Sequence, residues 1–341
     1  MTQSRLGRTL VIANPAAHSG KGAGAADFVE RFLESYDNAT SGFKVVRTEK
    51  PGDARKRAAK ASGFDTVIAL GGDGVIHDVV NGLMAVPAAK RPRLGVIPMG
   101  SGNDYGRTLH LALNDPMASL GQITNGTPVA LDLGLVNDEY FCETCSFGLD
   151  AAIALDTMRT RTKNGLAGTR LFAKSGYRIL AEHSDGWHYE MRVDGGARKE
   201  GHEIVFACQV GPTYGGGYKI CPEASPVDGK LDLCRNVRIP GKAETLALFT
   251  GARFGMHAGS SAVEISQFSR LRVEFDEEPP VQVDGEPLGG TTFDVRCEPG
   301  ALEVLVPNSF EWHPNPVKVE RPSVTEGLLG TKIADKLRDR D

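Results

Sequence analysis

A chain of 341 residues is long enough for two hydrophobic cores, so two domains are expected rather than one or three. Hydrophobic residues at 40% and charged residues at 24% exclude a disordered or fibrous protein. The formal net charge of −4 at pH 7 excludes a global attraction to nucleic acid or anionic lipid; no nucleic-acid partner is expected, and any membrane contact has to come from a local basic patch.

The opening MTQSRLGRTLVIANP carries an apolar run too short and too soon broken for a signal peptide, and no stretch reaches the roughly 18 to 20 apolar residues of a spanning helix. A cytoplasmic protein is expected. Strand-like runs then follow at TLVIAN (9–14), FKVVRT (43–48), TVIAL (66–70) and LGVIP (94–98). Between them lie helical patterns: AADFVERFLESY, the run after Pro51, and VIHDVVNGLMAV. Strand alternating with helix marks a parallel sheet, whose ligands sit beyond the carboxyl ends of the strands.

Each of those ends carries suggestive residues. The first strand leads to Asn14, Pro15, His18, Ser19, Gly20, Lys21 and Gly22. A Walker A loop needs a glycine where Pro15 stands and a Ser or Thr where Gly22 stands, so that motif is rejected. Lys21 remains either a phosphate ligand or a solvated lysine at a helix start. The third strand delivers Gly71, Gly72, Asp73 and Gly74 into a tight turn before a helix, where backbone N–H groups and the helix terminus suit a phosphate. Asp73 would repel that phosphate without a cation, which points to magnesium. The bland alternative is a plain Gly-Asp turn. The fourth strand ends in Gly100, Ser101, Gly102, Asn103 and Asp104, a second small and polar loop before a helix. Two such loops on neighbouring parallel strands predict one shared nucleotide crevice.

After about Leu131 the runs YFCETCSF, HYEMRVDG, EIVFACQV, KLDLCRN, LRVEF, PVQVDG, TFDVRC and LEVLV are short, β-rich and punctuated by turn residues. They predict an antiparallel sandwich, interrupted by helical stretches near 150–182 and 243–258. The fold expected is thus α/β plus mainly β: a parallel-sheet nucleotide-binding domain at 1–130, an antiparallel β-sandwich at 131–310, and a tail at 311–341 that packs back or stays free. The six cysteines fall in strand-like runs, as reduced buried thiols do. Cys142 and Cys145, three apart on one strand, would face opposite ways. The segment MRTRTKNGLAGTRLFAKSGYRIL is basic, and Arg159, Arg161 and Lys163 either dock on anionic lipid or form a solvated helical face.

Taken in order, NPxxxxGKG, GGDGxxxxVVNGL, PxGSGNDxxR, LDLG, YGGGYKICPEASPVDGKLD and VDGEP resemble the diacylglycerol kinase catalytic family, in its bacterial lipid-kinase branch related to sphingosine and ceramide kinases. The resemblance runs from about Thr9 to about Pro307. It implies transfer of a phosphoryl group from ATP to a lipid hydroxyl at the membrane surface, with Mg²⁺, most readily diacylglycerol to phosphatidic acid. It implies an ATP site at Asn14, Pro15, Gly20, Lys21, Thr48, Gly71, Gly72, Asp73, Gly74, Val75, Ile76, His77, Gly100, Ser101, Gly102 and Asn103. It also implies that Asp73, Asp104 and Asp132 form an acidic network around catalytic magnesium and that Glu286 is the general base. A structural magnesium is implied at Asp228 with the backbone oxygens of Ser225 and Lys230, the alternative being a plain β-turn at Val-Asp-Gly-Lys. From chemistry alone, a carboxylate at Glu286 suits a poorly nucleophilic lipid hydroxyl; the local sequence by itself favours an exposed turn glutamate, and only the family pattern reverses that.

Val75 and Asp78 depart from the GGDGT-x-N/H-E of many relatives, and the lost hydroxyl removes one phosphate or cap contact. A catalytically weakened lipid-binding relative is therefore one alternative, opposed by intact Asp73, Asp104, Asp132 and Glu286. Another is a kinase of a soluble substrate, since NAD kinases share GGDG; they lack GSGND and DGEP. Sphingoid bases and phosphatidylglycerol are alternative acceptors. A homodimer is the default expectation for such an enzyme.

Overall fold

Four strands rich in β-branched and aliphatic residues start the chain: β1 (Arg8–Ala13), β2 (Gly42–Arg47), β3 (Thr66–Gly71) and β4 (Arg93–Pro98). They pair in parallel in the order β2-β1-β3-β4. In this computed structural model, which describes residues 5–36, 39–164, 174–179 and 186–311, β3 is buried along its whole length. Helices α1 (Lys21–Ser35), α2 (Asp53–Ala58) and α3 (Asp73–Met84) make the crossovers. The step from β1 to β2 runs one way across the sheet and the later steps run the other. Right-handed crossovers therefore place α1 on one face and α2 with α3 on the other. The direction reverses between β1 and β3, so their carboxyl ends flank a crevice.

The chain continues through α4 (Asp104–Thr108), α5 (Pro116–Thr124), β5 (Thr127–Val136), β6 (Glu139–Phe141) and β7 (Thr144–Phe147). Next come α6 (Leu149–Asn164), β8 (Trp187–Val193), β9 (Lys199–Glu203), β10 (Phe206–Gln209), β11 (Leu231–Asn236) and α7 (Lys242–Ala252). The last strands are β12 (Val263–Phe268), β13 (Arg270–Phe275), β14 (Val281–Val283), β15 (Glu286–Pro287) and β16 (Thr292–Val306). A second, antiparallel sheet runs β12-β11-β10-β7-β14-β15. It closes a core with β8, β13 and the first half of β16, centred on Phe147, which lies 5.4 Å from Phe206 and 5.1 Å from Phe293 between ring centroids. The α/β fold with a C-terminal antiparallel sandwich is therefore present.

Three features depart from the strand-by-strand expectation. TFDVRC and LEVLV are one strand, β16, bulged between Glu298 and Leu302. Its first half pairs with β13, and Val304 pairs in parallel with Leu94 of β4, so Leu302 and Val304–Val306 join the first core. A single cut near residue 130 thus cannot separate the two cores. YFCETCSF is not one strand: it breaks at Cys142 and Glu143, putting Cys142 in the first core and Cys145 in the second. All six cysteines are buried with free thiols. The tail beyond residue 311 lies outside the described residues.

Candidate functional site

The loops after β1, β3 and β4 meet. Met99 donates its N–H to the Gly71 carbonyl at 2.7 Å, and a Cβ placed on Gly100 would fall 2.6 Å from the Gly72 Cα. Only glycine at both positions permits that approach. From the first loop, the His18 ring comes within 3.4 Å of the Gly100 carbonyl through Nδ1. Gly22 packs against the Asn14 carbonyl, and Asn14 Oδ1 accepts the Ala16 N–H at 2.9 Å to hold the turn. Thr48 follows β2 and donates its N–H to the Ala13 carbonyl at 2.8 Å, which keeps it beside Asn14. The carboxyl ends of all four parallel strands therefore form one rim, with Lys21 exposed at the start of α1.

Asp73 and Asp104 are the first residues of α3 and α4. The Asp73 carboxylate accepts the Asn103 N–H at 2.8 Å and the Asp104 N–H at 2.9 Å, so it caps α4 from the neighbouring loop. Asn103, at φ 53, folds the loop back by accepting the Gly100 N–H at 2.6 Å. The Asp104 carboxylate in turn accepts the Gly216 and Gly217 N–H groups, each at 2.8 Å. Gly215, Gly216 and Gly217 all have positive φ, a conformation that aims successive amides at one acceptor. A Cβ on Gly102 would lie 2.8 Å from Asp73 Oδ2 and 3.1 Å from Asp104 Oδ2, so the two carboxylates border one small space.

Burial first, and then the Asp73 charge, push the Asp104 pKa up to about 7; burial followed by the Asp284 charge raises that of Asp73. The nearest cation is Arg107, with Nε 3.9 Å from Asp104. Each carboxylate oxygen keeps a lone pair beyond its one N–H bond. Among the described residues no cluster of three or more His, Cys, Asp or Glu could hold a metal ion alone. Two hard carboxylates with open lone pairs fit magnesium that also takes phosphate and water oxygens.

Glu286 begins β15 in a hairpin turn, exposed to solvent, and a Cβ on Gly74 would sit 2.9 Å from Glu286 Oε1. The turn is held there by Asp284, the preceding acid of DGEP. Its carboxylate accepts the N–H groups of Cys142, Glu143 and Thr144 at 2.9, 3.0 and 2.9 Å, which is why the Cys142–Glu143 segment leaves strand geometry. His77 Nδ1 lies 3.1 Å from the same carboxylate and Nε2 lies 2.8 Å from Glu139, which also pairs with Arg55. Burial alone would lower the His77 pKa, yet the hydrogen bonds to Asp284 and Glu139 raise it to about 9.

Some of the expected site residues have other partners within the chain. His77 is buried between Glu139 and Asp284 as a cationic clamp. Val75 and Ile76 give their N–H groups to the Gly72 carbonyl, while the Val75 side chain covers Gly71 and Ile76 is fully buried. Asp132 stands apart from the Asp73–Asp104 pair: its carboxylate accepts Gly229 and Gly300 N–H groups, both at 2.7 Å, tying the 226–230 loop to the β16 bulge. A buried strand carboxylate is satisfied there by two glycine amides.

Near that loop, Asp228 accepts the Lys230 N–H at 3.0 Å and the Gln267 side-chain amide at 2.7 Å. Ser225 Oγ and Asp232 Oδ2 are buried without a hydrogen-bond partner, and burial followed by the Asp228 charge raises the Asp232 pKa to about 7. These unsatisfied oxygens fit a hard cation beside the Ser225, Asp228 and Lys230 segment. Asp232, Asp284, Glu139, Arg107 and the Gly216–Gly217 amides were not singled out from sequence. Arg107, Asp232, Asp284 and the GGG run lie inside the quoted motifs, whereas Glu139 carried no local signal.

Behind the second sheet lies an apolar cavity walled by Ile153, Ile204, Ile220, Leu248, Phe249 and Val263. The loop that feeds amides to Asp104 also reaches it: Tyr214 donates to Asp150 at the cavity wall, and Tyr218 lines it. Arg159, Arg161 and Lys163 lie on α6, but their side chains fall outside the described residues. Among the described residues no helix is long and apolar enough to cross a membrane.

The chain matches two family models, the diacylglycerol kinase catalytic domain over residues 8–136 and the YegS C-terminal NAD kinase β-sandwich-like domain over 143–306. It is 30% identical over 89% of its length to a Yersinia enterocolitica protein named probable lipid kinase YegS-like, covering 98% of that protein. It is 31% identical over 89% of its length to a Staphylococcus aureus diacylglycerol kinase, covering 93% of it. The fold matches a crystal structure of a diacylglycerol kinase from Bacillus anthracis with a TM-score of 0.71 at 21% identity, over 90% of this chain and 99% of that one.

Proposed function

The chain belongs to the diacylglycerol kinase family of lipid kinases, and we propose that it moves the γ-phosphoryl group of ATP onto a membrane lipid hydroxyl, diacylglycerol foremost, to give phosphatidic acid. The observation that carries this reading is Glu286 held against Gly74, one residue from an Asp73 carboxylate that is itself locked to the Asp104 loop. A proton acceptor and a cation-binding acid pair thus share one rim.

In this reading ATP lies across the rim, with Asn14, Pro15, Gly20, Lys21 and Thr48 on one side and Gly71–Gly74 with Gly100–Asn103 on the other. Asp73 and Asp104 hold magnesium, which when bound offsets charge on the transferring phosphates. Glu286 takes the proton from the acceptor hydroxyl as that oxygen bonds to the γ-phosphorus. The bond from the γ-phosphorus to the bridging oxygen breaks, and ADP leaves. The apolar cavity beyond Tyr214 takes the acyl portion of the acceptor, which favours a lipid over a soluble alcohol. Asp228, with the Ser225 and Lys230 segment and the buried Asp232, would hold a second cation, which would brace the 226–230 loop.

The test is transfer of labelled phosphate from ATP to a panel of dispersed lipids: diacylglycerol, a sphingoid base and phosphatidylglycerol, with NAD as the soluble competitor. Phosphatidic acid is the expected main product. Label on NAD alone, or on nothing, would end the proposal.

A further inference from the structure

A surface helix normally turns charge outward and apolar residues inward. Helix α7 does not. Its Thr245, Leu248, Phe249 and Ala252, at helical spacing, line the apolar cavity. The opposite face carries Ala243, Leu246, Ala247 and Thr250, all exposed and none charged. The flanking chain extends the pattern: Val237 and Ile239 are each 48% exposed, Leu246 41% and Phe254 64%. Tyr177, 45% exposed, sets its ring 5.8 Å from Phe249 and its hydroxyl 3.2 Å from Thr250. These five make up most of the exposed large apolar side chains among the described residues; Tyr36 and Met117 are the others. An apolar patch of that kind marks an interaction surface.

Resting on the lipid-kinase reading, we infer that the outer face of α7 with its flanks is the surface on which this protein lies on an anionic phospholipid bilayer. Charge at the rim selects the bilayer over a second copy. Lys219 and Lys242 are exposed, Arg253 binds the Gly217 carbonyl, and the one acid on α7, Glu244, is already paired with Arg238 at 2.6 Å. A rim of surplus cations around an apolar face matches phosphate headgroups above acyl chains and repels its own kind. Tyrosine beside the patch suits the headgroup level. The inner face of the same helix bounds the cavity, so a lipid leaving the bilayer under α7 meets a mainly apolar wall.

The experiment is sedimentation of the full-length protein with phosphatidylcholine vesicles, with and without phosphatidylserine. The wild type is expected to bind, more tightly with phosphatidylserine. The double variant Leu246→Glu with Phe254→Glu should bind on the order of tenfold or more weakly, while Met117→Glu binds as wild type. Leu246→Trp should shift its emission to the blue on vesicles. Both sites are exposed, so an unchanged melting temperature separates loss of docking from loss of fold. Undiminished binding by the double variant would overturn the inference, as would a wild-type dimer that the variant turns into a monomer. Phosphorylation of short-chain diacylglycerol in detergent should survive the double substitution. Its absence in the wild type would instead refute the kinase reading.

Discussion

At the scale of single residues, Glu286 and its neighbours divide the labour. Asp284 and His77 hold the turn, and in the proposed function Glu286 is the residue that meets the substrate. Replacing Glu286 with Gln keeps shape and removes the proton acceptor, so kcat is expected to fall about 10²- to 10⁴-fold with KM for ATP and the melting temperature unchanged. His77 gives the opposite signature. Its folded-state pKa of about 9 stands above the ordinary 6.5, so its contribution is complete below pH 6.5 and is lost as pH climbs through 9. Wild type is expected to lose on the order of 3 kcal/mol of unfolding free energy between pH 6 and pH 10 relative to His77→Gln, measured by urea titration at each pH. The acid pair works from the other side. If the pair holds magnesium as proposed, an Asp104 pKa of about 7 means that lower pH protonates the pair, so apparent affinity for magnesium should rise with pH through about 7 and level roughly a unit above it. Kinase assays over a magnesium series at pH 6 and pH 8 should show that shift, and Asp104→Asn should abolish it.

Elements explain why the two acids stand together. Neither loop could be placed from its own residues, since GGDG and GSGND each satisfy an isolated turn. They are locked by the cross-loop N–H bonds to Asp73 and by glycine meeting glycine at residues 72 and 100. Gly100→Ala puts a methyl within 2.6 Å of the Gly72 Cα and 2.7 Å of Asn103 Oδ1, so the loops must part. A cost of about 1–3 kcal/mol is expected in denaturant unfolding, with a larger loss of activity than of stability because the Asp73 cap is displaced. The GGG run at 215–217 serves the same pair from the second half of the chain. Its role was visible only as a conformational tendency, because the acceptor lies more than a hundred residues away in sequence.

For the whole molecule, β16 is the decisive strand. It leaves the sandwich, bends at the bulge gripped by Asp132, and completes the first core beside β4. A fragment of residues 1–136 leaves one side of β4 unpaired and lacks Leu302, Val304, Leu305 and Val306; it is expected to be unfolded or aggregated by circular dichroism. By itself the sequence determined the alternation of strand and helix, the rim of loops at the parallel strands' carboxyl ends, and the family, because local periodicity, glycine turns and motif order are written in neighbouring residues. Only the tertiary structure decided that His77 is buried between two acids, that Asp132 accepts two amides beside the bulge, and that the second half of the last strand completes the first core. Those outcomes depend on which distant amide or carboxylate satisfies a buried polar group, and a hydrogen bond across a hundred or more residues leaves no trace in local spacing.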